Sequence, residues 1–583
     1  MNTSSICIRS LFAGLSLLSL GLALNLSAKD LAPHDSDHLF DPARLVRIEL
    51  QVAPADWETL SKQHRSLIKT LRTDVEPSVK EDFFDYFRAD LTVDGVKVGP
   101  VAIRKKGFVG SMSRERPSLK IQLDKYDKEA RFAGLSTLTL NNNQQDPSTL
   151  HQVIGYQVFH EAGLPAARCN LAVVTVNGQS LGLYSNVESV DKAFFQRRFH
   201  GDKGTLWEGT ICDFTENEVK RFDRKFGSPG ATAKLEAVVA ALKLPDAEVI
   251  PALEKVIDLD AFLRFWATEV LIGHWDGYAS NRNNFFVYYN AEADRLIFLP
   301  WGLDQLASDV NPLWGDPTFV PPKSVKAASE LTLRLYNLPA GRARYLATMR
   351  ALLKEAWHED KLRQSIKALK ALTADVPKPP PSPSGMGGSL DGFIAKRRAG
   401  IEAELAKAPP EWTLARREPI DDIDQTGELD VEFSVTQPAG GPGELASVSG
   451  SAQVKLTFNK RTIAFADPQF KLARTESPWG GARWTIIIGR PETDPKQPAA
   501  IEISFSMAGQ KAGADSEPLR VDVFASPASA RLLEPVAAGQ VPEGLATLAG
   551  HLKLLQLETT PGGVIKGHLT GELFTARKAP KTK

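Results

Sequence analysis

His274-Trp275-Asp276-Gly277-Tyr278-Ala279-Ser280-Asn281 is the stretch from which the fold can be read. An Asp follows a His by two positions and precedes an Asn by five, the H-x-D-x-x-x-x-N spacing of phosphoryl-transfer catalytic loops. In that chemistry the Asp orients and deprotonates an attacking hydroxyl, and the Asn oxygen helps hold a divalent cation on the phosphates. The spacing alone is weak, because Asp and Asn also favour plain turns. Its surroundings strengthen it. Upstream, Leu259–Ile272 is apolar nearly all round, as a buried helix is. Downstream, Asn284–Tyr289 and Arg295–Leu299 read as a hairpin that delivers Pro300-Trp301-Gly302-Leu303-Asp304. An Asp just past a hairpin, facing back to such a loop, suits a second metal-binding carboxylate.

The N-terminal half supplies a sheet. Phe87–Val93 and Val96–Lys106 flank Asp94-Gly95, a two-residue hairpin signal. Gly107-Phe108-Val109-Gly110-Ser111 follows, and Pro117–Leu123 resumes alternation with Lys120 in mid-strand. A loop without bulky side chains lets backbone N–H groups approach phosphate, and a lysine neutralises it. Because strand side chains alternate between faces, Lys105 or Lys106 on the neighbouring strand could take the role assigned to Lys120. Asp146-Pro147 predicts a helix start running to about Ala162, with Gly163 as its stop. Leu171–Val176 and Leu181–Val187 form a second hairpin about Asn177-Gly178, and Lys192–Trp275 reads as mostly helical.

Lys plus Arg number 70 and Asp plus Glu number 70 in 583 residues. This balance excludes a basic nucleic-acid coat and an acidic disordered tail. Three cysteines exclude a disulfide scaffold. Arg9, the apolar run Leu11–Leu26 and the small residues at Leu26-Ser27-Ala28 describe a secretory signal over residues 1–28. Its removal takes Cys7 and leaves Cys169 and Cys212, free to form a disulfide or to stay separate buried thiols. No later run is long and apolar enough to span a membrane. Pro377–Ser389 is a Pro- and Gly-rich loop, and helix Leu390–Lys407 follows it. From about Pro419, short alternating segments predict a β-sandwich-like module over 419–575, with a basic tail at 576–583. His34-Asp35-Ser36-Asp37-His38 reads as a chain terminus and Trp479-Gly480-Gly481 as a turn.

Several blocks together resemble the CotH family, the spore coat protein H-like secreted kinases. They are Val101–Leu123, Leu138–Pro165, Asn177–Lys192, His274–Tyr288 and Leu299–Gln305, in family order. The resemblance implies an α+β fold: a divergent two-lobed protein-kinase-like domain over 29–410, lobes about 39–190 and 191–410, ahead of the all-β module. It implies a secreted, periplasmic or cell-surface enzyme using ATP and Mg or Mn to phosphorylate Ser or Thr of a protein substrate, with no nucleic-acid partner. Asp276 would be the catalytic base, with Asn281 and Asp304 holding the metal. Lys120 would contact the phosphates under the loop of Gly107 and Gly110, and Glu188 would border the nucleotide. The chain departs from the family where W-D-x-D reads Trp301-Gly302-Leu303-Asp304, and where His151-Gln152 replaces Arg-Glu. No carboxylate partner for Lys120 is evident beyond Glu161, late on its helix. The alternative reading is a catalytically silent surface or matrix-binding scaffold.

The exported chain is expected to begin at Lys29. Intact mass of the secreted protein checks this, and retention of Met1–Ala28 contradicts it.

Overall fold

The computed structural model describes residues 36–577 except 76–82, 202, 315, 317, 378–387, 419–420, 439–442, 477–481, 492–496, 508–511, 524–525 and 536–542. The signal, the first part of the His34–His38 cluster, most of the Pro/Gly-rich loop, Trp479-Gly480-Gly481 and most of the basic tail lie outside the described residues.

Seven strands close into a barrel: β1 (Leu45–Val52), β2 (Phe87–Val93), β3 (Val96–Lys106), β4 (Ser118–Gln122), β5 (Thr137–Asn141), β6 (Cys169–Val176) and β7 (Gln179–Val187), in the order β1-β2-β3-β4-β5-β7-β6. Closure comes from the parallel pairing of β1 with β6. The interior is filled by alternate residues such as Ile48, Leu91, Ile103, Ile121, Leu140 and Val174. Asp94-Gly95 and Asn177-Gly178 both sit at positive φ, as tight hairpin turns require.

Two helices, α1 (Pro54–Lys62) and α2 (Leu67–Leu71), lie between β1 and β2, and α3 (His151–Glu161) lies between β5 and β6. The expected start of α3 at Asp146 is corrected to His151. Thr149 takes a left-handed φ of 63° that interrupts the helix, and Asp146 Oδ2 instead accepts from His151 N at 2.8 Å. The stop at Gly163 stands, at φ 72°.

Helices α4 (Lys192–Phe199), α5 (Thr232–Leu242), α6 (Asp246–Glu254), α7 (Leu259–Leu271), α8 (Tyr278–Asn281), α9 (Glu330–Asn337), α10 (Pro339–Glu355), α11 (Glu359–Leu372) and α12 (Leu390–Leu405) make the second body. They pack with a four-stranded sheet, ordered β11 (Arg295–Pro300), β10 (Phe285–Asn290), β8 (Gly204–Gly209), β9 (Asp223–Phe226). The expectation of mostly helix from Lys192 to Trp275 therefore missed β8 and β9. Short apolar runs carry too few residues to separate the two periods, and the partner of β8 lies about 80 residues downstream. Cys169 and Cys212 are separate buried thiols.

Residues Asp422–Arg577 form one continuous eleven-stranded sheet. Side chains from strands along its whole length, including Val431, Leu456, Ile486, Phe505, Leu552 and Leu569, share one core, so the sheet curls onto itself. Among the described residues no helix is long and apolar enough to cross a membrane.

This sheet is seated on α2. Ile68 packs with Ala549, Phe574 and Ile423, and Thr73 N donates to Ile423 O at 2.7 Å. Buried Asp522 accepts from Leu67 N at 3.0 Å. His64 approaches Asp522 at 4.0 Å, yet burial and the adjacent Arg520 push its pKa down to about 3. The ring is thus neutral, and its Nδ1 lies 2.6 Å from the Arg520 guanidinium as acceptor rather than ion-pair partner. Asp522→Ala strands the Leu67 N–H and is expected to cost about 1–3 kcal/mol. Urea unfolding of the full chain measures this, and an unchanged midpoint contradicts the seating.

Candidate active site

The loop carrying Asp276 is held by buried groups on all sides. Glu269, on α7, accepts from Tyr278 N and Ala279 N at 2.9 Å each and so caps the short turn of α8. Burial pushes this carboxyl up to about 8, against the pull of those two N–H groups. A Cβ at Gly277 would collide with Glu269 Oε1 and lie 2.7 Å from His274 Nδ1, so only glycine fits. Tyr278 O–H donates to Asp213 at 2.9 Å, and buried Arg282 pairs with Glu218 at 3.2 Å. His274 serves through its backbone, whose N–H donates to Glu269 O at 2.9 Å. Its ring is buried and neutral, its pKa pushed down to about 3 by burial.

Asp276 collects three side-chain amides. Oδ1 accepts from Asn281 at 2.6 Å and Asn283 at 3.2 Å, and Oδ2 accepts from Asn284 at 2.7 Å. Burial raises its pKa to about 6 in spite of these donors. Asp304 is raised further, to about 7, first by burial and then by the charge of Asp276, with Lys106 opposing. His151, at the head of α3, fixes the backbone there, its Nδ1 lying 2.8 Å from Asp304 O. Asn283 and Asn284 were missed from sequence, although the run Asn281-Arg282-Asn283-Asn284 beside an Asp is a visible signal.

Gly302, in the stretch Trp301-Gly302-Leu303-Asp304, has φ 54° and lies under Asn284. A Cβ at this position would overlap Asn284 Oδ1. The volume of the missing side chain is therefore occupied by an amide that serves Asp276.

Strand alternation sorts the lysines. Lys105 faces the buried side of β3 and donates to Ser61 O at 2.6 Å. Lys106 faces the other side, hydrogen-bonds Asn141 Oδ1, lies 5.9 Å from the Trp301 ring and feels the charge of Asp304. Asn141 is held by Gln152 of α3 at 2.8 Å, so an amide relay stands behind this lysine. Burial pushes the Lys106 pKa down to about 8. Lys120 is paired across the sheet with Arg104, one step along from Lys106 and Ser118. Its charged neighbours are Arg104, Asp191, Lys225 and Glu208. The charge of Asp304 thus acts on Lys106, whereas Lys120 feels Arg104 and Asp191 first, and Glu208 of the missed strand β8 pairs with Lys225.

Glu161 pairs with Lys361, which removes it as a partner for Lys120. Glu188 is buried, with both oxygens clamped by Arg168 and Arg197 at 2.6–3.0 Å. Burial alone would raise its pKa, but the two guanidiniums together outweigh burial and hold it below the ordinary carboxylate value. It fastens the end of β7 to α4. Gly107 and Gly110 both have positive φ, and their turn is closed by Ser111 N donating to Phe108 O at 3.0 Å. The Arg65 guanidinium stacks on Phe108 at 4.6 Å.

Asp276 and Asp304 supply hard oxygen donors, the chemistry that Mg²⁺ or Mn²⁺ prefers. The charge of Asp276 raises the Asp304 pKa, a conflict that a bound cation would relieve. Among the described residues no group of three or more His, Cys, Asp or Glu side chains converges as a ready metal cage. One or two carboxylates completed by substrate phosphates is the usual arrangement for Mg²⁺.

Residues 103–382 match the sequence family described as CotH kinase protein. The chain is 22% identical over 250 residues to the inner spore coat protein H of Bacillus subtilis (strain 168), covering 41% of this chain and 68% of that protein. It is 26% identical over 266 residues to an inner spore coat protein H-like protein of the same organism, covering 44% and 76%. The protein named Invasin CotH7, of Rhizopus delemar, is 20% identical over 191 residues, covering 31% of each chain.

Introducing a carboxylate by Gly302→Asp is expected to displace Asn284 and destabilise the chain by ~1–3 kcal/mol, given the left-handed φ. Chemical denaturation checks this, and a variant as stable as the parent contradicts the packing.

Proposed function

With residues 103–382 forming a CotH domain, we propose that this chain is an exported ATP-dependent protein kinase acting on Ser or Thr hydroxyls. The observation that carries the reading is the state of Asp276. A carboxylate has about four lone-pair sites, and three amides use three of them. One acceptor direction is left for a substrate hydroxyl, on a group raised to about 6, near the working range of a general base.

The remaining parts follow the order of a kinase. The barrel with α3 serves as the nucleotide lobe and the helical body as the catalytic lobe. Lys106, steadied by Asn141 and Gln152, faces the phosphates, with the Gly107–Gly110 turn beside them and Lys120 farther along the cleft. Asp304 is the carboxylate that would hold Mg²⁺ or Mn²⁺ together with phosphate oxygens, a cation that when bound offsets phosphate charge. The substrate hydroxyl gives its proton to Asp276 as its oxygen attacks the γ-phosphorus and the bond to the β-phosphate oxygen breaks. The signal-like N-terminus and the spore-coat and invasin names of the relatives support a site of action outside the cytoplasm.

A silent scaffold is the second reading. It is favoured by the Asn281 oxygen already being engaged by Arg417 at 2.9 Å, and by the invasin names.

Wild-type protein is expected to transfer label from γ-labelled ATP to itself or a protein acceptor, and Asp276→Asn to lower the rate at least ~1000-fold while the chain remains folded by circular dichroism. Transfer that survives in Asp276→Asn sinks the assignment.

The carboxyls also set a pH signature. Asp276 and Asp304 lie above their ordinary value of 3.8, at about 6 and 7. Between those limits the folded chain keeps protons that the unfolded chain has released, so their contribution to stability falls as pH rises through the window. Thermal stabilisation by Mg²⁺ should therefore be larger at about pH 8 than at about pH 5.5, where protons hold the site. Equal shifts at both values contradict this.

A further inference from the structure

Arg417 lies beyond the helical body, on the segment leading into the C-terminal sheet and outside the stretch that matches the family. Its Nη1 donates to Asn281 Oδ1 at 2.9 Å and reaches Asn281 O at 3.4 Å. Asn281 in turn donates its amide to Asp276 at 2.6 Å. A side-chain amide has one oxygen and one NH₂ end, so engaging the oxygen with a cation leaves only the NH₂ end for the carboxylate. The reverse orientation would set oxygen against oxygen.

The segment is fixed on both sides of Arg417. Tyr336 O–H donates to Pro410 O at 2.7 Å, and Trp412 packs edge-on against Trp314 and Phe319. Arg416 pairs with Glu330 at 2.8 Å, and Arg221 donates to Asp421 O at 2.7 Å. Trp314 Nε1–H donates to Ser280 O at 3.0 Å, one residue before Asn281. The linker therefore reaches the turn by two routes, one through Arg417 and one through the Trp412–Trp314 contact.

We propose that Arg417 is a positioning residue supplied by the linker: it locks the Asn281 amide so that NH₂ faces Asp276, and ties the seating of the C-terminal sheet to the turn at 278–284. Its consequence for turnover rests on the kinase reading, while its effect on the turn does not. The guanidinium is half-buried among Asp213, Glu218 and Asp276, with Arg282 opposing. A lysine there would bring a compact point charge on a flexible stem in place of the rigid, planar guanidinium.

Hydrogen exchange read by mass spectrometry on the full chain, for wild type, Arg417→Gln and Arg417→Lys, tests it. The Gln variant should speed exchange in 278–284 about tenfold, with the barrel strands unchanged and the Lys variant in between. Unchanged exchange in 278–284 overturns the proposal. If the Gln variant does not fold, acceleration confined to 278–284 in the Lys variant supports it and wild-type exchange overturns it. In the transfer assay the Gln variant should lose kcat with the KM for ATP within about twofold, and added methylguanidinium should restore it. Loss confined to KM overturns the positioning role. A wild type without transfer sinks the kinase reading, and exchange still decides the role of Arg417.

Discussion

Asp276 is a part-buried carboxylate, and among the described residues no cation stands within ion-pair distance of it. Burial of an ionised carboxylate costs several kcal/mol unless its lone pairs are satisfied. Here Asn281, Asn283 and Asn284 supply that satisfaction. They can do so only if the chain turns sharply, and the turn needs Glu269 as cap, Gly277 for space and Arg282 at a left-handed φ of 57°. Those needs extend to Asp213, Glu218 and Gly302. The helical body is, in large part, the set of contacts that keeps one acidic group buried, oriented and still able to accept a proton.

The barrel offers the complementary charge. Lys106 is part-buried, and its lowered pKa and the raised pKa of Asp304 record the same incomplete neutralisation from opposite sides. Amides again carry the support, through Asn141 and Gln152. The C-terminal sheet is part of this body rather than a tethered appendage. It buries Ile68, receives Leu67 N on Asp522, and places Glu517 against Arg114 a few residues past the glycine turn.

Much of this was legible in the chain because it is local. The Asp94-Gly95 and Asn177-Gly178 hairpins, the buried α7 and the Asp276–Asn281 spacing all depend on neighbours within a few positions. What escaped depends on distant partners. Alternation put Lys105 and Lys106 on opposite faces, but only the β3–β4 register and the approach of Asp304 could choose Lys106 over Lys120. Barrel closure by β1 and β6, the insertion of β8 beside β10, and the arrival of Arg417 at Asn281 each join segments 70 or more residues apart. Gly302 could be counted from sequence as a lost carboxylate, whereas its replacement by Asn284 is a matter of packing.

We propose that Asp304, Asp276 and Lys106 together make a cation-dependent nucleotide site. Calorimetric titration of ATP into the full chain, with and without Mg²⁺, tests it most directly. One saturable site is expected that requires the cation and disappears in Asp304→Asn. Wild-type protein that gives no cation-dependent heat, or Asp304→Asn that binds like the parent, would contradict it.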